Sequence, residues 1–168
     1  MKKKTNNKKE PINIKGLRFL HIGRYMCFLF PIIFVIALLY VGYSEHLTYQ
    51  QLISKNPGLT AGFLVSAFHL IVGMNAGKTI KQLETLNSYE IARCKFLLFT
   101  VFEFMMLNFP AGISFGFGTM KVFDWKSKGF KSTWNALLEN GQKNKVIGIF
   151  FMGIFVIVVS GWFLKAFM

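Results

Sequence analysis

The sequence predicts an all-α, polytopic integral membrane protein with about four transmembrane helices and a short interfacial helix before the last of them. Of its 168 residues, 53% are apolar and 17% are aromatic, and the mean hydropathy is +0.43. This is too apolar for an ordinary soluble domain of that length. The apolar residues form long continuous runs, whereas the strands of a membrane β-barrel alternate between apolar and polar positions.

Four apolar runs are long enough to cross a bilayer as helices, since about 20 residues span about 30 Å of hydrocarbon. The first run is longer than the apolar region of a signal peptide and has no small-residue cleavage site after it, so we expect it to remain as an anchor. The chain is thus divided into a basic tail, 1–25, and one membrane domain, 26–168. The predicted spans are 26–43, 58–76, 96–118 and 146–166.

The distribution of charge predicts a cytoplasmic amino terminus. Residues 1–24 hold eight Lys or Arg against one Glu, residues 44–57 have no net charge, and residues 77–95 have a net charge of +2. This alternation agrees with the rule that positive segments stay in the cytoplasm. Residues 119–145 have a net charge of +4, although four spans place them outside. The four-span arrangement therefore conflicts with the rule at one segment.

Two arrangements reconcile this conflict. In the first, the first helix and its flank set the orientation of the whole chain, as they usually do, and the later segments follow. All four spans then cross the bilayer with both termini in the cytoplasm, and the sequence favours this arrangement. Alternatively, Pro110 and the glycines after it break the third segment, which then dips into the bilayer and returns to the same side. That alternative keeps 119–145 in the cytoplasm.

Small residues recur along the second span at intervals of three or four positions. On a helix such residues share one face, and they allow two helix backbones to approach closely. The second span is therefore predicted to be a tightly packed interior helix or an oligomer contact. We call this surface the small-residue face; it consists of Gly58, Gly62, Ser66, Gly73 and Gly77, with His69 among them.

Two ionisable groups lie within the apolar runs, His69 in the second span and Glu103 in the third. A charged group in the membrane is costly unless it faces protein, is paired or is protonated. Because adjacent spans run in opposite directions, these two side chains can meet. Together with Thr100 and Asn108 they form the predicted intramembrane polar set. The set is interpreted either as a proton or ion site or as a structural contact between helices.

Pro110 is predicted to kink the third span, because proline lacks the N–H and clashes with the preceding helical turn. Gly112 and Gly116 follow at the G-x-x-x-G spacing of closely packed helices. The same residues can also line an ion or substrate site at a broken helix. The ordinary kinked helix is the preferred interpretation.

The segment 130–140 is predicted to be a short amphipathic helix at the membrane surface. Phe130, Trp134, Leu137 and Leu138 share one helical face, while Lys131 lies on another. Tryptophan and lysine are typical anchors at the level of the lipid headgroups.

Several familiar sites are absent from the sequence. The "GKT" at 77–79 lacks the first glycine of a phosphate-binding loop. The three histidines and two cysteines do not have zinc-ligand spacing, and the basic tail has no nucleic-acid motif. We expect no catalytic residue, no metal, no cofactor and no nucleic-acid partner.

These observations predict a small membrane protein that acts through helix–helix contacts in the bilayer, as an accessory, assembly, immunity or regulatory subunit. Its partner is expected to be another membrane protein or further copies of the same chain. The alternative is an oligomeric proton- or ion-coupled transporter or channel subunit that uses Glu103 and His69. A third class is a lipid-modifying enzyme with the same two groups as acid and base. The expected location is a bacterial plasma membrane, since the composition is typical of an AT-rich genome.

Overall fold

The structure, a computed structural model, describes residues 12–55, 57–85, 89–123, 131, 134–135, 138 and 143–167. No residue in these ranges lies in a strand, so the predicted all-α class is confirmed. The helices with defined bounds are α1 (Ile14–Ser44), α2 (Tyr49–Lys55), α3 (Pro57–Glu84), α4 (Tyr89–Met105), α5 (Phe109–Val122) and α6 (Lys143–Phe167).

Within the described ranges, two helical stretches are long and apolar enough to cross a membrane, Ile14–Ser44 and Ala61–Glu84. A shorter apolar stretch, Phe150–Trp162, lies within α6. By length and composition this is weak support for a membrane protein, and the predicted set of four spans is not confirmed. The predicted first, second and fourth spans fall inside α1, α3 and α6.

The predicted third span, 96–118, is divided into two helices. α4 ends at Met105 and α5 begins at Phe109. Pro110 lies in the first turn of α5, where the missing N–H removes no bond, because first-turn amides have no partner within their helix. The expectation of one kinked helix is therefore corrected, since the helix ends before Pro110 instead of bending at it.

The chain reverses direction between α4 and α5. A Cβ atom built on Gly112 would lie 3.0 Å from the ring of Phe104, and one built on Gly116 would lie 3.4 Å from Thr100 Cγ2. Later residues of α5 thus meet earlier residues of α4, as in an antiparallel helical hairpin. We call residues 89–122 the hairpin and residues 106–108 its tip.

α1 packs against α5 in antiparallel fashion, and glycines bring the two helices close together. A Cβ on Gly23 would lie 2.7 Å from the Phe115 ring, and one on Gly118 would lie 2.5 Å from Leu20 Cδ2. Nearer the start of α1, a Cβ on Gly16 would lie 2.7 Å from Val122 Cγ2, at the end of α5. No side chain fits at these positions without displacing its neighbour.

α1 also covers the small-residue face of α3. A Cβ on Gly62 would lie 2.5 Å from the Phe34 ring, one on Gly73 would lie 3.1 Å from Cys27 Cβ, and one on Gly77 would lie 2.8 Å from Arg24 Nε. Gly58 and Ser66 are buried as well. The small-residue face is therefore buried against the chain's own helices and is not exposed to a partner helix.

α6 lies against α3 and α4 and leaves much of its surface uncovered. Its Phe155 ring is 6.0 Å from the Phe68 ring of α3, and Val156 and Ser160 are buried. Outside these contacts α6 exposes large apolar side chains: Phe150, Phe151, Ile154, Ile157 and Val158. Of the predicted interfacial helix, Lys131, Trp134 and Leu138 have helical backbone, whereas Phe130 and Leu137 lie outside the described residues.

Exposed basic side chains share one end of the bundle. Glu84 Oε1, at the end of α3, lies 3.7 Å from His21 Nε2, near the start of α1. Lys121 Nζ, at the end of α5, lies 5.1 Å from the centre of the Phe19 ring of α1. The start of α4 lies at this end too, since α4 is antiparallel to α5. We call it the basic end; its exposed cations include Lys15, Arg18, Lys78, Lys81 and Lys121.

Candidate functional site

The His69 and Glu103 side chains meet in the interior of the bundle. His69 Nδ1 lies 2.9 Å from Glu103 Oε2, and both side chains are fully buried. The contact has the length of an ion pair but not the directional geometry of a hydrogen bond. The two ionisable groups that the sequence assigns to neighbouring apolar segments are therefore in direct contact.

Asn108 binds the same carboxylate from the tip of the hairpin. Its Nδ2 donates to Glu103 Oε2 at 2.6 Å, while its Oδ1 accepts from the Ala111 N–H at 3.4 Å. The side chain thus caps the start of α5 and holds the last turn of α4 at the same time.

The backbone at the tip closes α4 in a conformation that usually needs glycine. Leu107 has a φ of 62°, the left-handed region that costs a residue other than glycine about 1 to 2 kcal/mol. The Leu107 N–H donates to Phe104 O at 3.2 Å, and the Asn108 N–H donates to Glu103 O at 2.9 Å. These are the two bonds of a Schellman motif. They place Asn108 directly beside the Glu103 side chain.

α1 closes the remaining side of this cluster. The Phe30 ring centre lies 4.5 Å from that of the His69 imidazole, and the buried thiol of Cys27 lies beside the Glu103 carboxylate. Pro31 stands four positions after Cys27 within the helix. Because proline has no N–H, no amide at position 31 can bond to the Cys27 carbonyl. We call His69, Glu103, Asn108 and Cys27 the buried polar cluster.

The cluster holds polar atoms with unused hydrogen-bonding capacity. Within the described part of the chain, two of its atoms, His69 Nε2 and Glu103 Oε1, are buried and have no hydrogen-bond partner. The same holds for Ser66 Oγ, one turn before His69 on α3. Leaving such an atom unpaired costs about 1 to 3 kcal/mol. An imidazole nitrogen and a carboxylate oxygen at 2.9 Å attract each other only when a proton is present on one of them. A proton shared between these two groups would therefore stabilise their contact.

Thr100 belongs to the predicted polar set but has a different partner. Its Oγ1 donates to Phe96 O at 2.8 Å, inside its own helix. Sequence reasoning also missed Cys27 and Phe30, which approach the cluster from α1. The one unusual residue near them in the sequence is Pro31, and a proline does not indicate which side of α1 faces the interior.

Among the residues that the structure describes, no group of three or more His, Cys, Asp or Glu side chains is arranged to hold a metal ion. No protein-family model, curated protein or solved structure matches this chain. The site must therefore be interpreted from its own chemistry.

Proposed function

We propose that this chain is an integral membrane protein in which α1, α3 and α6 cross the bilayer and the hairpin enters from the cytoplasmic side and returns. The exposed apolar surface supports this arrangement, because α1 and α6 present large side chains that water would not tolerate in such numbers. α4 has 17 residues and α5 has 14, or about 25 and 21 Å of helix, less than the ~30 Å hydrocarbon core.

The arrangement also removes the charge conflict. Residues 77–95 adjoin the basic end, and so does the start of 119–145, the segment whose net charge is +4. With the hairpin returning to the same side, the basic tail and both of these segments are cytoplasmic, as the positive-inside rule requires. The carboxyl terminus is then on the opposite side.

Labelling of single cysteines tests this topology. In a chain lacking Cys27 and Cys94, an impermeant maleimide is expected to label Lys15→Cys and Lys121→Cys from one side of membrane vesicles and Lys165→Cys from the other. All three lysines are exposed. Four spans predict instead that Lys121→Cys reacts from the side opposite to the other two, and that result would reject the hairpin topology.

We further propose that the buried polar cluster is the proton-handling site of an oligomeric transporter or channel subunit. The observation that carries this proposal is the fully buried His69–Glu103 contact at 2.9 Å. An ionisable residue in the membrane is costly to keep and commonly marks a proton or ion pathway. The start of α5 at the same point supports the proposal, since half-helix ends within the membrane form ion sites in transporters. Few oxygens converge here, which favours a proton over a hard metal cation.

Proton flux into liposomes tests the proposed site. With purified protein and an internal pH dye, we expect an imposed pH gradient to collapse faster than in empty liposomes. Glu103→Gln is expected to reduce this flux to the level of empty liposomes, because an amide keeps an oxygen for Asn108 but cannot exchange protons. Thr100→Val is the matched control and should retain the flux, since its hydroxyl only bonds its own helix. Absence of flux in the unmodified protein at every gradient would refute the proposal.

An accessory role remains a second candidate, favoured by the uncovered side of α6. Near Gly148 of that helix, no described atom lies within 4 Å of a built Cβ, so a partner backbone can approach there. The mass of the complex in native nanodiscs separates the two candidates. A different membrane protein in fixed ratio, lost in Gly148→Leu but kept in Glu103→Gln, supports the accessory role, while a homo-oligomer alone supports transport.

A further inference from the structure

A lateral groove lies between α4 and α6, bordered by residues of the 131–138 segment. Its volume is about 650 Å³, within the range of about 300 to 1,000 Å³ that is typical of small-molecule sites. Apolar side chains of three elements form its walls: Leu97, Leu98, Val101, Trp134 and Phe150. The groove opens sideways, toward the space that lipid occupies in the proposed membrane arrangement.

Positive charge is found at one part of this groove. Lys131 lines it with an exposed side chain and belongs to the segment 119–145, which has a net charge of +4. Cys94, also in the wall, lies near the start of α4 and thus near the basic end. Trp134, three positions after Lys131, packs against Ile91 and Cys94 near the start of α4. Lys131 therefore borders the groove at the end nearest the basic end, with its aliphatic stem along the apolar wall and its ammonium beyond it.

This gradient from cation to hydrocarbon matches an amphiphile with one negative charge at its head. In a bilayer an acyl chain is already surrounded by hydrocarbon, so burying it in the groove gives little preference by itself. Any preference of the groove for one lipid over another must therefore come from the headgroup, where a lysine ammonium attracts phosphate. A neutral or zwitterionic headgroup offers Lys131 no net charge to pair with.

We propose that the groove between α4 and α6 binds one anionic phospholipid, with an acyl chain against Leu98 and Phe150 and the phosphate at Lys131. The proposal shares the membrane arrangement of the previous section but not the proton flux. A chain that binds the lipid and conducts no protons would support it while refuting the transport site.

Native mass spectrometry of the protein released from nanodiscs tests the proposal. In nanodiscs of equal phosphatidylglycerol and phosphatidylcholine, we expect one phosphatidylglycerol to be retained per chain in clear excess. Lys131→Gln should lower that retention about five-fold, as expected for the loss of one basic contact near a lipid surface. Leu98→Trp should lower retention of both lipids, because the indole fills part of the groove.

Lys81→Gln is the matched control, since Lys81 is an exposed lysine at the basic end that does not line the groove. It should leave retention unchanged. Equal retention of the two lipids, an unaffected Lys131→Gln variant, or an equal loss in Lys81→Gln would each overturn the proposal. The last result would mean that diffuse positive charge attracts lipid without a defined site.

Discussion

Gly118→Leu is expected to disrupt the packing of α1 against α5, lowering the thermal midpoint of the chain in mild detergent by about 5 to 10 °C. A Cβ at this position would already lie 2.5 Å from Leu20 Cδ2 and 3.0 Å from the Leu20 backbone nitrogen. The backbone of α1 cannot move aside without losing its other contacts, because Gly16 and Gly23 hold it equally close to α5. Circular dichroism at increasing temperature measures the midpoint.

Gly148→Leu is the matched control for this change. It makes the same substitution in a helix of similar composition, but no described atom lies within 4 Å of its built Cβ. Its midpoint should stay within about 2 °C of the unmodified protein, as for surface substitutions generally. Equal losses from the two variants would show that leucine in a glycine position, rather than the contact between α1 and α5, causes the effect.

Breaking the buried pair should destabilise the chain by about 3 to 5 kcal/mol, whichever partner is removed. His69→Leu leaves Glu103 buried without its closest opposite group, and Glu103→Leu leaves both His69 and Asn108 Nδ2 without a partner. The double variant should cost no more than either single change, because no buried charge is then left uncompensated. Chemical unfolding of the four proteins in mild detergent gives the coupling energy.

Thr79→Val provides the control for additivity. Thr79 is buried and its Oγ1 donates to Asn75 O at 2.8 Å within its own helix. It lies ten positions from His69, or about 15 Å along α3. Its effect should add to that of His69→Leu within about 0.5 kcal/mol. Additivity between His69→Leu and Glu103→Leu as well would mean that the two buried groups do not stabilise each other.

The contact between His69 and Glu103 could be predicted because burying an ionisable side chain in an apolar segment costs free energy, and this cost limits where the side chain can lie. An ionisable side chain in an apolar run must face protein, and two such groups in neighbouring helices have few other partners. The approach of Cys27 and Phe30 could not be predicted in the same way. It depends on the rotation of α1 about its axis, and from Tyr25 to Tyr43 that helix has no charged residue to indicate which side faces the protein.

The break before Pro110 was signalled locally but interpreted as a kink. Asparagine is a preferred N-cap, and proline is favoured in the first helical turn, so Asn108 and Pro110 together indicate a helix start. The sequence has no glycine to mark the end of α4, because Leu107 occupies the left-handed position where glycine is usual. Without that glycine, a continuous helix and a reversed chain cannot be separated by local pattern alone.

In the proposed membrane arrangement, a hairpin of these dimensions is not expected to insert as an independent unit. Its helices are too short to cross, and its tip would carry Glu103 and Asn108 into hydrocarbon with no protein around them. The groups that surround the tip come from α1 and α3, which precede it in the chain and therefore leave the ribosome first. The proposed arrangement therefore predicts an ordered biogenesis, in which α1 and α3 insert first and the hairpin then packs against the surface that they form. A gene in which the hairpin precedes α1 is then expected to give a chain whose hairpin stays outside the bilayer during synthesis.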